Sequence, residues 1–145
     1  MIAGVKIKTL GVYEDDRGAV LQMLRSDDAG FIGFGEIYFS ITNPGAVKAW
    51  KRQNKATLNY AVLNGELRLV LFDDRVSSPS FGKVWEMVLN RNNYSLVTIP
   101  PGIWVGFSAL GDCPAILANC ADRPHDAADL VRLDESSPVI PFKWT

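Results

Sequence analysis

Short apolar segments alternate with turn-forming residues along the whole chain. Typical breaks are Asn43-Pro44-Gly45 and Pro100-Pro101-Gly102. Short segments bounded in this way predict β-strands, and no long run has the 3.6-residue period of an amphipathic helix. The predicted strands are Val5–Leu10, Ala19–Leu24, Glu36–Thr42, Ala46–Gln53, Thr57–Leu63, Glu66–Phe72, Lys83–Leu89, Ser95–Ile99, Ile103–Leu110 and Ala115–Ala121. Only Ala127–Val131 is predicted to be helical.

The dipeptide Asn64-Gly65 is the clearest turn signal. Val62-Leu63 precedes it, and a leucine recurs at every second position from Leu67 to Leu71. Asn-Gly tolerates the two positive φ angles of a type I′ turn, so the pattern predicts a tight hairpin here. Ten short strands with almost no helix predict an antiparallel sandwich or barrel.

Length and composition set the domain organisation. The 145 residues are 48% hydrophobic and 21% charged, which predicts one domain over residues 1–145 with a full core. Lys and Arg number 15 against 16 Asp and Glu, so there is no basic surplus for nucleic acid or an anionic membrane. Residues 1–10 lack the apolar centre of a signal peptide, and we expect a cytoplasmic protein without a membrane span.

Few residues could ligate a metal. The chain has two cysteines, Cys113 and Cys120, and one histidine, His125. This is too few for a disulfide framework, a structural zinc site or a multi-histidine centre. We therefore expect neither a metal nor another cofactor.

Several motifs follow one another in a characteristic order. They include Asp15-Asp16-Arg17-Gly18, Gly65-Glu66, Asp73-Asp74-Arg75, residues 78–82 (Ser-Pro-Ser-Phe-Gly), Ile-Pro-Pro-Gly at 99–102 and Gly106-Phe107. This series resembles the dTDP-4-dehydrorhamnose 3,5-epimerase family, a metal-independent branch of the cupin superfamily, and in particular a divergent subgroup of it. The resemblance implies an all-β, cupin-type jelly-roll: a double-stranded β-sandwich or barrel. It also implies a homodimer in which N-terminal strands are exchanged or added to the partner's sheet.

The resemblance also implies roles for individual residues. Lys51 lies where the family has its catalytic histidine base, and Asp134 lies where the family has the aspartate that partners it. Lys48 replaces a substrate-binding arginine. The candidate catalytic residues are thus Lys51 and Asp134. The candidate substrate-binding residues are Arg17, Lys48, Gln53, Tyr60, Trp104, Asn119, Arg123 and His125.

Other family positions have changed. The lysine that steadies the enolate in the family corresponds to Leu58, the second-box histidine to Val105, and the tyrosine acid to a position near Arg123. Metal-dependent cupins have histidines where this chain has Lys51, Gln53 and Val105. A protonated lysine repels a cation and valine has no lone pair, which argues against a metal here.

Epimerisation beside a ketone needs a base, a group that stabilises the enolate, and an acid on the opposite face. The resemblance implies an isomerase or epimerase that acts on a dTDP-linked 4-keto-6-deoxy sugar by removing a proton α to the carbonyl, in deoxysugar or surface-polysaccharide biosynthesis. One alternative is a catalytically silent nucleotide-sugar-binding protein that has lost the base and acid. Another is a ketoisomerase that moves the carbonyl.

Sequence alone leaves the protonation of Lys51 open. A free lysine has a pKa of about 10.4 and is protonated at neutral pH. Burial and a neighbouring Lys48 would lower this pKa, whereas pairing with Asp134 would raise it. Lys51 is therefore either a base or a fixed cation. Structural roles also stay open, such as a solvated turn for Arg17, a core position for Trp104 and a surface position for His125.

Overall fold

A computed structural model describes all 145 residues. It contains twelve strands and a single 3₁₀ helix, Ala127–Asp129. The strands are β1 (Lys6–Thr9), β2 (Val12–Asp15), β3 (Gly18–Leu21), β4 (Glu36–Thr42), β5 (Val47–Gln53), β6 (Leu58–Asn64), β7 (Glu66–Asp73), β8 (Val84–Leu89), β9 (Ser95–Ile99), β10 (Ile103–Leu110), β11 (Ala115–Ala121) and β12 (Leu130–Arg132). No helix has the length and hydrophobicity needed to cross a bilayer.

The strands form two five-stranded antiparallel sheets and one separate hairpin. Sheet I has the order β1-β9-β6-β11-β4, and sheet II has the order β12-β5-β10-β7-β8. Strands β2 and β3 pair only with each other. The predicted all-β antiparallel sandwich is confirmed.

The main core lies between the sheets. Eighteen buried residues form it, among them Leu58 and Leu117 from sheet I and Leu71, Val105 and Phe107 from sheet II. These side chains alternate along their strands with residues that face outward, as the two-residue period of a strand requires. Burial of apolar surface in this layer is the main contribution to stability.

A second apolar cluster covers the outer face of sheet II. Trp50 from β5 is 1% exposed and packs against Phe142 and Trp144 of the C-terminal tail, with ring centroids 6.0 and 5.2 Å away. Gly106 of β10 lies beneath these rings. A Cβ there would approach the side chains of Ala49 and Trp144 to 2.7 Å, so glycine permits the close packing of tail and strand.

The prediction of a tight hairpin at Asn64-Gly65 is wrong. Strand β6 pairs with β9 and β11 in sheet I, whereas β7 pairs with β10 and β8 in sheet II. The chain therefore crosses between sheets at this dipeptide. Gly65 does adopt a positive φ of 73°, but no non-glycine residue does, which excludes a type I′ turn. A Cβ at Gly65 would lie 2.5 Å from the Pro114 carbonyl oxygen, so close backbone packing requires glycine here.

The helix predicted over Ala127–Val131 is only partly formed. Its first three residues make the 3₁₀ helix, which the Asp126 carboxylate caps by accepting a hydrogen bond from the Ala128 amide. From Leu130 onward the chain pairs with β5 as strand β12. Strand pairing with β5 overrides the local helical preference.

A buried carboxylate organises the loop that follows β7. Asp73 is fully buried and accepts hydrogen bonds from the Arg75 guanidinium and from the hydroxyls of Ser78 and Ser80. Arg75 and Ser80 also bond the backbone of Ala3. The network thus ties the N-terminal segment to the edge of sheet II.

Candidate functional site

Strand β5 directs Lys51 between the two sheets. Lys51 lies opposite Val105 of β10, which belongs to the inter-sheet core, and cross-strand partners project from the same face. Lys48 lies opposite Phe107, another core residue. The register shifts between Val105 and Phe107, and this bulge allows Lys48 and Lys51 to share a face although three positions separate them.

Positive charge dominates the surroundings of Lys51. Arg132 of β12 lies directly opposite it, and Lys48 is close enough to feel its charge. The Lys48 ammonium donates to the Ser40 hydroxyl (3.0 Å) and the Ile41 carbonyl (2.7 Å) of sheet I. The Lys51 amine has no hydrogen bond and no carboxylate partner. A pocket of about 270 Å³, lined by Val47, Lys48, Ala49, Trp50, Lys51 and Arg132, opens beside it.

The environment of Lys51 makes its ammonium group easier to deprotonate than that of a free lysine. Burial lowers the pKa of Lys51 below its ordinary 10.5, and the positive charge of Arg132 lowers this pKa further. The pKa of Lys48 is lowered by burial and by the charge of Lys51. Burial and the charge of Arg132 both lower the pKa of Lys51. The pairing with Asp134 that would have raised this pKa is not formed.

The facing sheet contributes polar groups from β6 and β11. Tyr60 is fully buried in the core and Asn119 is 1% exposed, and they are cross-strand neighbours. The Tyr60 hydroxyl and the Asn119 Nδ2 have no hydrogen-bond partner. Burial raises the pKa of Tyr60, with a smaller effect from Tyr38, so its phenol stays protonated. Buried polar atoms without partners are rare and indicate a place for a polar ligand or water.

Gln53 is the third predicted residue of β5 on this face. It is half-buried, lies two positions beyond Lys51 and is opposite Leu130. The structure thus brings together five predicted site residues: Lys48, Lys51, Gln53, Tyr60 and Asn119.

Trp104 does not line this space. It lies opposite Arg52 and Phe72 on the outer face of sheet II, where the Arg52 guanidinium stacks 4.8 Å from its ring centroid. Its indole nitrogen donates to the Asp74 carboxylate at 2.8 Å. Trp104, a predicted substrate-binding residue, therefore has a structural role on the outer face, because it alternates along β10 with the inward-facing Val105.

Four predicted residues lie on exposed segments away from the inner face. Arg17 is at the tip of the β2–β3 hairpin and is paired with Asp15 at 2.6 Å. Arg123 and His125 lie in the exposed loop after β11. Asp134 is exposed beyond β12, where hydrogen bonds from the Ser136 hydroxyl and amide hold the pKa of its carboxyl below the ordinary value. It therefore does not orient Lys51 in this structure.

Two residues of this face were not predicted from the sequence. Arg132 was not among the predicted site residues, and its position opposite Lys51 depends on the pairing of β12 with β5. Tyr38 lies inward on β4, opposite Asn119. Its signal was present: polar residues occupy every second position of β4, at Glu36, Tyr38, Ser40 and Thr42.

The donor set suits anions better than metal ions. No three His, Cys, Asp or Glu side chains cluster as a metal site would require. Lys48, Lys51 and Arg132 together can hold an anionic group such as a phosphate, and an uncharged Lys51 amine can accept a proton. The fold and this inward, cation-lined face define a cupin-type β-sandwich with a small-molecule site.

Comparison with known proteins identifies the family. The sequence profile of dTDP-4-dehydrorhamnose 3,5-epimerases matches residues 1–145, and the chain belongs to this family. It is similar to a dTDP sugar isomerase from Desulfovibrio desulfuricans, a crystal structure with 44% sequence identity and a TM-score of 0.97. The match covers 99% of this chain and 92% of that one. The resemblance inferred from the motifs is confirmed.

Two curated relatives are named for carbohydrate biosynthesis. A probable low-salt glycan biosynthesis epimerase of Haloferax volcanii is 34% identical over 130 residues, covering 88% of this chain and 83% of that protein. A spore coat polysaccharide biosynthesis protein of Bacillus subtilis is 30% identical over 146 residues, covering 99% of this chain and 97% of that protein.

Proposed function

We propose that the protein is an epimerase that acts on a dTDP-linked 4-keto-6-deoxy sugar in glycan or polysaccharide biosynthesis. The observation that carries the proposal is the inward amine of Lys51, whose charged neighbours are the cations Lys48 and Arg132 and which has no hydrogen-bond partner. The family and the names of its relatives support the substrate class. Lys48 and Arg132 provide positive charge for the anionic diphosphate or for the carbonyl oxygen.

The proposed reaction exchanges a proton next to the ketone. The neutral Lys51 amine takes the proton from the carbon α to the carbonyl. The electron pair of the C–H bond forms the C=C bond of an enolate, and the π pair of the carbonyl moves onto its oxygen. The nearby cations stabilise this negative charge. A proton delivered to the other face of the same carbon then gives the epimer.

Incubation with dTDP-4-keto-6-deoxyglucose in D₂O tests the proposal. Deuterium at C3, C5 or both, followed by NMR, together with an inverted centre, is the expected result. The reaction requires no added metal under the proposal, so EDTA should leave the rate unchanged. A carbonyl that moves to C3 would instead identify a ketoisomerase.

A silent binding protein is the second candidate, and two core residues favour it. Leu58 and Val105 are 4% and 1% exposed in the inter-sheet core, at positions where the family has a lysine and a histidine. A protein of this kind would bind dTDP saturably in calorimetry and would incorporate no deuterium. The same incubation therefore separates it from an epimerase.

We also propose that the protein is a homodimer, based on the outer face of β4. Ile37, Phe39 and Ile41 are 50 to 60% exposed there, and β4 is an unpaired edge of sheet I. Contiguous exposed apolar residues on an edge strand are typical of a protein interface.

Light scattering should give about twice the chain mass of 16.0 kDa. Phe39→Glu should reduce this to the monomer mass, because a charge would be buried in the interface. Val76→Glu is the matched control, since Val76 is 87% exposed in a loop. A monomeric unmodified protein at micromolar concentration would exclude this dimer.

A further inference from the structure

Strand β4 presents its polar residues inward and its apolar residues outward. Glu36, Tyr38, Ser40 and Thr42 face the space between the sheets, while the alternate residues are exposed. Placing polar groups on an interior face costs free energy unless they are hydrogen-bonded. Of this stripe, Ser40 is bonded by Lys48, whereas the buried Thr42 hydroxyl has no partner. Binding of a polar ligand therefore explains these inward polar residues of β4 better than packing of the core does.

Tyr38 belongs to a polar row that crosses three strands of sheet I. Asn119 of β11 lies opposite Tyr38 of β4 on one side and opposite Tyr60 of β6 on the other. The Asn119 Nδ2 and the Tyr60 hydroxyl are buried without a partner. Tyr38 is half-buried at the edge-strand end of the row, and its hydroxyl is not hydrogen-bonded within the protein. The row thus extends from the buried Tyr60 on β6 to the half-buried Tyr38 on the edge strand β4.

The row faces Lys51 from the opposite sheet. Lys51 projects from β5 of sheet II, and Tyr38 projects from β4 of sheet I. Strands β4 and β5 are connected across the sandwich by the hydrogen bond from the Lys48 ammonium to the Ser40 hydroxyl. Ser40 is two residues from Tyr38 along β4. A sugar held between the sheets would have Lys51 on one face and Tyr38 on the other. Epimerisation requires this arrangement, because the proton must leave one face and arrive on the other.

We propose that Tyr38 is the general acid of the reaction, an inference that rests on the proposed epimerase function. Its phenolic O–H donates a proton to the α-carbon of the enolate, on the face opposite Lys51. The C=C electron pair of the enolate forms the new C–H bond, and a lone pair on the enolate oxygen re-forms the carbonyl. The phenolate then regains a proton from water and the Lys51 ammonium releases its proton to water, so both groups return to their starting states. A phenol carries its proton at neutral pH and can serve as this donor.

Tyr60 is less suited to the same role. Its side chain is fully buried, and its ring packs edge-on against Phe107, with the centroids 6.3 Å apart. Tyr38 is the tyrosine of the row with part of its surface open. The position where the family has its tyrosine acid is near Arg123 in this chain, on an exposed loop, so the proton donor must come from elsewhere.

The Tyr38→Phe variant in the D₂O assay tests this inference. Removing one oxygen should lower the rate of inversion by about 100-fold or more. Deuterium should still enter the recovered starting isomer, because Lys51 can remove the proton and return solvent deuterium to the same face. Exchange with retention is a result that mere loss of folding would not give. Tyr94→Phe is the matched control, since Tyr94 is another buried phenol without a partner, outside the site.

Three outcomes would count against the inference. If Tyr38→Phe keeps the ratio of inversion to exchange of the unmodified protein, Tyr38 is not the acid, although the epimerase function stands. If Tyr60→Phe alone shows exchange with retention, the acid is Tyr60. If the unmodified protein shows no exchange, the proposed function fails and this inference fails with it.

Discussion

Replacing Lys51 with methionine is expected to lower deuterium exchange at the carbon next to the ketone by about 100- to 10,000-fold, the usual contribution of a general base. Methionine keeps the length of the side chain but has no proton acceptor of comparable strength. The rate is measured by NMR in D₂O with the same keto sugar. An unchanged rate would show that the amine has no catalytic role.

Two further substitutions separate a base from a fixed cation. Lys51→Arg keeps the positive charge, but a guanidinium is not deprotonated in proteins, so this variant should be as inactive as the methionine variant. Lys51→His introduces a base that is largely neutral at pH 7 and should retain measurable exchange. Full activity in the arginine variant would show that Lys51 acts through its charge.

The lowered pKa of Lys51 also predicts the direction of two pH effects. Burial and the charge of Arg132 lower this pKa below 10.5, so the exchange rate should rise with pH until the amine is fully neutral. The unfolded chain binds a proton more tightly at this position, so the contribution of Lys51 to stability also rises with pH in the window between the two pKa values. Lys51→Met should therefore raise the free energy of unfolding at pH 7, by about 1 kcal/mol.

Asp73→Asn is expected to have the largest effect on stability, a loss of about 3 to 5 kcal/mol in the free energy of unfolding. The carboxylate is fully buried and accepts bonds from Arg75 at 2.8 Å and from two serine hydroxyls at 2.5 Å. An asparagine would leave the guanidinium without its counter-charge and place an amide group against these donors. Urea denaturation of both proteins at pH 7 gives the difference directly.

Asp15→Asn is the matched control for this prediction. Asp15 and Arg17 have the same Asp-x-Arg spacing and pair at 2.6 Å, but on an exposed hairpin where solvent screens the pair, so the loss of stability should be much smaller than for Asp73→Asn. Similar losses for the two variants would show that burial of Asp73 is not the cause.

The pH dependence of the Asp73 effect follows from its pKa. Burial would raise this pKa, but the bonds from Arg75, Ser78 and Ser80 outweigh burial and hold it well below the ordinary 3.8. Its stabilising contribution is therefore complete above the unfolded pKa and is lost as pH falls below about 4. The difference between Asp73→Asn and the unmodified protein should shrink over that acidic range.

Local sequence patterns predicted the strands better than their partners. The bounds of Glu36–Thr42, Ser95–Ile99, Ile103–Leu110 and Ala115–Ala121 agree with the structure. These strands are set by apolar or alternating segments that are followed by turn residues. The strand pairing at Asn64-Gly65 was predicted wrongly, because turn chemistry describes the corner but does not determine which sheet receives the next strand.

Side-chain direction limited the prediction of the site. Motif positions placed Lys48 and Lys51 on one strand, and the bulge opposite Gly106 explains why both face inward. Trp104 was also predicted to bind substrate, but its side chain points to the other face of β10. Arg132 could not be found locally, because a strand of three residues depends on pairing with β5.

The segment that contains Phe142 and Trp144 affects the order in which sheet II is completed during synthesis. The backbone N–H of Trp50 donates to the Leu133 carbonyl, and the Trp50 carbonyl accepts from the Leu133 N–H. Phe142 and Trp144 cover the Trp50 ring. Domains generally begin to fold from the N-terminal side while the chain is still being made. Phe142 and Trp144 are synthesised well after Trp50, so strand β5 acquires its outer layer only once this later segment has emerged from the ribosome. Until then the Trp50 ring lacks the two aromatic neighbours that bury it in the folded protein.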